Sequence, residues 1–188
     1  WSELVLELPC AGAVREAGNF ALGGVSLLNR LGFVTHLSFG CESPDIRALE
    51  AVAELLEAPT DAFRSALQAS LSGGKPFVAA QADAVAAVIP GIAPSLSQPN
   101  NVLAVCYLRA LRRLHSAIEP LPVLRQGDYR ADALSPEAFP SASAVRSAYL
   151  QNRPNDCESA CGYSLANAAS HRPEALDTAL LYRLRGMS

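Results

Sequence analysis

The sequence lacks any apolar run long enough to cross a membrane. A spanning helix needs about 18–20 consecutive apolar residues, and no stretch of the 188-residue chain approaches that length. A secretory leader is not expected either, because Glu3 and Glu7 interrupt the first apolar stretch. Half of the residues are nevertheless hydrophobic. We therefore expect a folded domain with a packed core that is not inserted in a membrane.

An excess of positive charge is also missing. The chain has 15 Lys and Arg against 18 Asp and Glu, which gives a net charge of −3 at pH 7. The protein as a whole therefore has no field that would attract nucleic acid. A local basic face lies at the end of one predicted helix, formed by Arg109, Arg112, Arg113 and His115. Stabilisation by the helix dipole is the simpler interpretation of this face, and contact with RNA phosphates is the alternative.

The cysteines do not follow the pattern of a disulfide-stapled secreted domain. Their number is odd and they are scattered: Cys10, Cys41, Cys106, Cys157 and Cys161. We therefore expect a reducing, cytoplasmic environment. Cys157 and Cys161 could share one helix face, but no second pair of ligands accompanies them, and we do not expect a zinc site.

Familiar catalytic motifs are absent as well. The chain has no Gly-x-Ser-x-Gly elbow, Walker loop or Gly-x-Gly-x-x-Gly fingerprint. The histidines His36, His115 and His171 stand far apart, without the spacing of metal ligands. No catalytic residue and no metal ligand is therefore assigned from the sequence.

What the sequence does contain is an alternation of strand and helix patterns. A strand is predicted at residues 3–9, a helix at 13–31 and a second strand at 34–40. This order is typical of a βαβ unit with a parallel sheet. Three helices without a strand between them then predict a helical insertion at 44–95. A third strand follows at 118–126, and its two prolines favour an edge position.

Polar residues follow the predicted strands at their carboxyl ends, where open parallel sheets bind ligands. The residues at these ends are Pro9, Cys10 and Gly12 after the first strand, Gly40, Cys41, Glu42 and Ser43 after the second, and Arg125, Gln126 and Gly127 after the third. Every strand has to end in a loop, so a purely structural interpretation stays open.

The helix that starts near Asn101 offers a second candidate site. One of Asn100 and Asn101 can cap the backbone N–H groups, which leaves the other amide to meet a base, a ribose or a phosphate. An asparagine turn that only leads into the helix is the alternative.

A third candidate site is the start of the next predicted helix. Ser141 or Ser143 can cap it, and Arg146 lies about one turn further along. Hydroxyls, free backbone N–H groups and a guanidinium around one point would form a phosphate cradle. A plain serine-capped surface helix is the alternative.

Four stretches, taken together in their order and spacing, resemble a known family. They are ELVLELPCAGAVREAGNFALGGVSLLNRLG, LSFGCESPDI, LSQPNNVLAVCYLRAL and PSASAVR. Across these four stretches, the chain is similar to the bacterial tRNA(Met) cytidine acetate ligases of the HIGH-type nucleotidyltransferase superfamily. The resemblance implies a Rossmann-like α/β core. It also implies that ATP, with Mg²⁺, and acetate form acetyl-adenylate, whose acetyl group passes to the wobble cytidine of elongator tRNA(Met).

The resemblance assigns ATP binding to residues in three of these stretches. By motif match they are Gly40, Glu42, Asn100, Asn101, Ser141, Ser143 and Arg146. We expect residues 1–152 to form part of a nucleotidyltransferase-like domain with the insertion at 44–95. Residues 153–188 are expected to form a helical tail.

The chain also departs from the family. The His-x-Gly-His signature is absent and would precede Trp1, so we expect part of a longer enzyme, inactive by itself. Tyr129, Arg130 and Ala131 stand where the family commonly has Tyr-His-Asp, and Cys41 stands where serine is usual. One alternative is a degenerate relative that binds a nucleotide or a protein partner without catalysis. The other is an unrelated α/β enzyme whose serines and asparagines are only helix caps.

Overall fold

The computed structural model describes residues 4–42, 45–125, 134, 140–151, 153–162, 182 and 185. The chain divides into two compact units, Trp1–Arg125 and Gln126–Ser188, and each is described by itself. The domain division predicted from the sequence, at residue 152, stays a prediction.

The first unit is mostly helical and contains a small sheet. Its elements are α1 (Cys10–Ala13), α2 (Ala17–Leu31), β1 (His36–Cys41), α3 (Ile46–Glu57), α4 (Asp61–Ser72), α5 (Phe77–Val88), α6 (Ala93–Leu96), α7 (Pro99–Arg113) and β2 (Glu119–Leu124). The second unit contains α8 (Ala142–Leu150) and α9 (Pro154–Cys161). The predicted α/β class is confirmed.

Local sequence signals set the ends of several helices. Thr60 caps α4, since its hydroxyl accepts a hydrogen bond of 3.2 Å from the Phe63 N–H. Asp45 caps α3 through the Ala48 N–H. Gly32 ends α2 with a φ of 75°, a conformation that glycine adopts at little cost.

The two strands pair in parallel, with His36 opposite Glu119 and Cys41 opposite Leu124. The Glu119 N–H donates to the Thr35 carbonyl at 2.8 Å. Because N–H directions alternate along a strand, the missing N–H groups of Pro120 and Pro122 fall on the side of β2 away from β1. That side cannot continue a regular ladder, in agreement with the predicted edge position.

The strand predicted at residues 3–9 is wrong for the described part of that range. Residues 4–9 have no regular structure, and Val5 is 84% exposed. A strand needs a neighbour for its backbone hydrogen bonds, and among the described residues β1 and β2 pair only with each other. The predicted helix at 13–31 begins later, at Ala17, where the Glu16 carboxylate accepts from the backbone N–H groups of Gly18 and Asn19.

Helix α7 is the centre of the first unit. It packs against α2 and α3 and also contacts β1. The larger hydrophobic cluster joins β1, α3, α4, α5 and α7, and it includes Phe39, Cys41, Leu49, Val52, Phe63, Val85, Val105 and Leu108. A smaller cluster joins α2 to the carboxyl-terminal half of α7. This packing fixes the direction of α7, whose first turn meets the end of β1.

The basic end of α7 forms ion pairs with α3. Arg109 and Arg113 both bind the Glu57 carboxylate, each through Nε at 2.7 Å, and Arg112 binds Glu54 at 3.0 Å. Burial raises the pKa of the Glu57 carboxyl, but hydrogen bonds and charges from Arg113 and Arg109 outweigh it. The pKa is therefore held below its ordinary value of 4.5.

The Glu57 ion pairs predict a pH-dependent stability. A carboxyl with a lowered pKa in the folded state stabilises the protein above its unfolded pKa, and this stabilisation is lost as the pH falls below about 4.5. Glu57→Gln should remove part of this acid-induced loss in urea unfolding measured between about pH 3 and pH 7. Asp61→Asn, in a pair whose carboxylate is 98% exposed, is the control. Identical pH profiles for wild type and Glu57→Gln would contradict the assignment.

The carboxyl-terminal end of α7 carries backbone strain at His115. This residue has a φ of 46°, and the following N–H, of Ser116, returns to the Leu111 carbonyl at 3.0 Å. Glycine normally takes this position because a Cβ atom disfavours it. We expect His115→Gly to raise the free energy of unfolding by about 0.5–1 kcal/mol, whereas His115→Ala should not. Thermal and urea unfolding measure the stability of both variants. A His115→Gly variant less stable than wild type would contradict the assignment of backbone strain to His115.

Candidate functional site

The carboxyl ends of β1 and β2 meet the first turn of α7. Glu42 follows β1 directly, and Arg125 follows β2, with the Arg125 N–H bonded to the Cys41 carbonyl at 2.9 Å. The two side chains are thus held at neighbouring positions of the sheet. The structure brings together four of the residues predicted from the sequence at this end: Gly40, Glu42, Asn100 and Asn101.

Glu42 caps α7 from a distant part of the chain. One carboxylate oxygen, Oε2, accepts from the Asn101 N–H at 2.9 Å, and Oε1 accepts from the Asn100 N–H at 3.3 Å. The residue at the N-cap position, Gln98, makes no side-chain capping bond. The expectation that one asparagine caps the helix is therefore wrong. The prediction missed this because a capping carboxylate 59 positions earlier leaves no local sequence signal.

Asn101 completes a reciprocal lock with Glu42. Its side chain is buried, with 1% exposure. Its Oδ1 accepts from the Glu42 N–H at 2.9 Å, and its Nδ2 donates to the Ser95 carbonyl at 3.0 Å. Each residue thus binds the backbone of the other, and the end of β1, the short helix α6 and the start of α7 are joined.

Only one end of the Asn100 side-chain amide has a hydrogen-bond partner among the described residues. Its Nδ2 donates to Glu42 Oε1 at 2.5 Å. For its Oδ1, no hydrogen-bond partner occurs among the described residues. The side chain is half-buried, so a ligand at this end of the sheet would meet a hydrogen-bond acceptor.

Arg125 lies beside Gly40. A Cβ atom at position 40 would stand 3.2 Å from Cγ and 3.4 Å from Cδ of Arg125, so glycine provides the space for the arginine to lie close to β1. Arg125 is exposed and has no ion pair within the described residues. An uncompensated guanidinium at a strand end suits an anionic ligand.

The motif match did not select Arg125. The residue stood out in the sequence only as one of several polar residues at a strand end. A cation placed directly after a strand of a parallel sheet is the signal that could have singled it out.

Ser141, Ser143 and Arg146 form a separate group in the second unit. Ser141 is the N-cap of α8, and its hydroxyl accepts from the Ala144 N–H at 2.9 Å, which confirms that a serine of this motif caps the helix. Ser143 and Arg146 are exposed within α8. They lie on the first turns of the helix, as a phosphate cradle requires.

Several other features considered in the sequence do not form a functional site within the described residues. Within residues 4–42, 45–125 and the described parts of 134–185, no three His, Cys, Asp or Glu side chains are grouped as metal ligands. No helix in the same part of the chain is long and apolar enough for a membrane span. Cys41 is buried, with its thiol directed to the Val123 carbonyl at 3.8 Å. The departure at Tyr129, Arg130 and Ala131 lies outside the described residues.

Comparison with known families identifies the fold group. A family model described as HIGH Nucleotidyl Transferase matches residues 2–186. The chain belongs to this family. The family resemblance predicted from the four sequence stretches is thereby confirmed.

Curated relatives extend the comparison. The protein named tRNA(Met) cytidine acetate ligase from Fervidobacterium nodosum is 37% identical over 151 residues, which cover 80% of this chain and 36% of the relative. The protein of that name from Syntrophomonas wolfei is 37% identical over 155 residues, covering 80% of this chain and 37% of the relative. The present chain thus spans 36–37% of the length of these relatives.

Solved structures of Thermotoga maritima TmcAL are similar in fold. The apo form I superposes with a TM-score of 0.77 at 29% identity and covers 84% of this chain and 38% of that one. The form II structure, bound with alpha-thio ATP, gives a TM-score of 0.71 at 30% identity and covers 83% and 37%. The predicted nucleotidyltransferase-like fold is confirmed.

The lock between Glu42 and Asn101 predicts unequal effects of two neighbouring substitutions. Asn101→Ala should lower the free energy of unfolding by about 2–3 kcal/mol, because the Glu42 N–H and the Ser95 carbonyl both lose their partner. Asn100→Ala removes one bond from a half-buried side chain and should cost about 1 kcal/mol. Urea unfolding measures both variants, and a larger loss for Asn100→Ala would contradict the lock.

Proposed function

We propose that this chain carries part of the ATP site of an enzyme that adenylates a small carboxylate. The observation that carries the proposal is that the carboxyl end of a parallel sheet holds the Arg125 guanidinium and, at the start of α7, the Asn100 amide oxygen, neither of which has a partner among the described residues. Such ends are where α/β folds hold nucleotides. The bound alpha-thio ATP of TmcAL supports ATP as the ligand.

The names of the relatives support a specific pair of reactions. The carboxylate oxygen of acetate attacks the α-phosphorus of ATP, the bond to the bridging oxygen breaks, and pyrophosphate leaves. The amine of the wobble cytidine in elongator tRNA(Met) then attacks the acyl carbon, loses a proton and releases AMP. Both steps, in the cytoplasm, belong to the whole protein, of which relatives are more than twice as long as this chain.

The chemistry of the first step requires compensation of negative charge more than a covalent catalyst. Charge develops on the α-phosphate and on the leaving pyrophosphate, and positioned donors stabilise it. Within the first unit we assign this role to Arg125 beside Gly40. By motif match, Ser141, Ser143 and Arg146 at the start of α8 are a separate candidate for phosphate contact in the second unit. Asn100, held by Glu42, would contact the nucleotide from α7, whereas the buried Asn101 would act only by fixing Glu42 and the start of the helix.

Mg²⁺ would enter this site with the triphosphate. The Glu42 carboxylate already accepts three hydrogen bonds from α7, and no three His, Cys, Asp or Glu side chains of the described residues are grouped as metal ligands. We therefore assign no metal ligand to the chain and route no step through the ion.

A degenerate, non-catalytic relative that binds a nucleotide or a protein partner is the second candidate function. It is favoured by Tyr129, Arg130 and Ala131, which stand where the family commonly has Tyr-His-Asp. Exchange of labelled pyrophosphate into ATP by the complete protein, dependent on a small carboxylate, separates the two. Exchange supports the ligase, and ATP binding without exchange for any carboxylate supports the degenerate relative.

The ATP site predicts large effects of two arginine substitutions. Arg125→Ala and Arg146→Ala should each weaken ATP binding about ten- to a hundredfold, equivalent to about 1.5–3 kcal/mol for a charged hydrogen bond. Calorimetric titration measures the affinities. Arg64→Ala, on the surface of α4, is the matched control and should bind like wild type. Unchanged affinity for either test variant would remove that arginine from the site.

A further inference from the structure

We infer that Glu42 is a positioning residue, which acts through Asn100 and does not touch the ligand. It holds the Asn100 amide so that the oxygen, and not the NH₂ group, faces the nucleotide. The inference deepens the proposed function and rests on it for the identity of the ligand. The orientation itself follows from hydrogen bonds within the first unit.

The orientation of Asn100 is fixed by chemistry. An ionised carboxylate only accepts hydrogen bonds, so the amide atom at 2.5 Å from Glu42 Oε1 has to be the NH₂ nitrogen. The other end of the amide is then the oxygen, which has no partner among the described residues. A flipped amide would set two acceptors against each other.

The carboxylate that holds Asn100 is itself held on several sides. Its two oxygens also accept the backbone N–H groups of Asn100 and Asn101, and the Glu42 N–H is bound by the buried Asn101 side chain. Rotation of Glu42 away from Asn100 would break all the bonds to the first turn of α7. The acceptor is therefore preorganised, with little ordering left for the ligand to bring about.

An outward-facing acceptor selects a donor on the ligand. Phosphate oxygens of ATP are acceptors and do not match it. The ribose hydroxyls and the adenine amino group can donate. The geometry therefore divides the site, with Arg125 suited to phosphate and Asn100 suited to a hydroxyl or amino group of the nucleoside.

Glu42→Gln should reverse the orientation of the Asn100 side-chain amide, so that its NH₂ group faces the ligand, without unfolding the first turn of α7. The oxygen of the introduced amide keeps the shorter backbone bond, from the Asn101 N–H at 2.9 Å, and the longer bond from the Asn100 N–H at 3.3 Å is lost. The NH₂ group then takes the place of Oε1 and faces the Asn100 side-chain amide. The Asn100 amide then flips to accept from it and presents its own NH₂ to the ligand. Adding Asn100→Asp in this background restores an outward-facing oxygen, because the new carboxylate accepts from the introduced amide with one oxygen and exposes the other.

The experiment compares ATP with analogues that each lack one donor: 2′-deoxy-ATP, 3′-deoxy-ATP and the triphosphate of unsubstituted purine riboside. Calorimetry on the wild-type protein should show about tenfold weaker binding of at least one analogue, as expected for one lost hydrogen bond. Glu42→Gln should weaken ATP about tenfold and bind that analogue no worse than ATP. The double variant should regain the discrimination.

Matched controls separate orientation from general damage. Glu50→Gln, on the half-buried face of α3, should keep both the affinity and the discrimination of wild type. Retained discrimination in Glu42→Gln would overturn the inference, as would failure of the double variant to restore it.

A failure of the proposed function is distinguishable from a failure of this inference. If the wild-type protein does not bind ATP, the ligand is wrong, and the orientation is then read from the Asn100 side-chain amide by NMR. Its NH₂ protons should carry the downfield shift of a hydrogen bond to carboxylate and lose it in Glu42→Gln. The same Asn100 signals in both proteins would overturn the inference without any ligand.

Discussion

The rest of the candidate site depends on one long-range interaction, the hydrogen bonds between Glu42 and the first turn of α7. The carboxylate at the end of β1 neutralises the positive end of the α7 dipole and satisfies two of its free N–H groups. Asn101 returns a bond to the Glu42 backbone. Without this lock, α7 would still pack through its apolar faces, but its start would not be held in register with the end of the sheet.

The hydrogen bonds between Glu42 and α7 also decide which charged side chain at the sheet end is available to a ligand. Glu42 and Arg125 follow neighbouring strand ends, yet no ion pair joins them in the described structure, because the carboxylate is turned towards the helix. Within the described residues, the Arg125 guanidinium therefore has no ion-pair partner at the sheet end. This arrangement is the basis on which we propose an anionic ligand at this end of the sheet.

The sequence predicted the parts of the fold that are encoded locally. The serine cap of α8 and the parallel strands β1 and β2 followed from residue pattern and propensity. The strand predicted at residues 3–9 was wrong, because strand formation depends on a neighbour that a single segment cannot specify. Glu42 was singled out by family resemblance as a nucleotide ligand. Its capping role depends on contacts between residues 58 and 59 positions apart, which no local pattern records.

Site-resolved NMR during an ATP titration of the wild-type protein tests the central claim most directly. As ATP is added, we expect backbone shifts to concentrate at Gly40, Asn100 and Arg125 and at the start of α8, while the amides of α4 and α5 stay unchanged. Saturable shifts confined to another surface, or no shifts at millimolar ATP, would contradict a nucleotide site at the carboxyl end of the sheet.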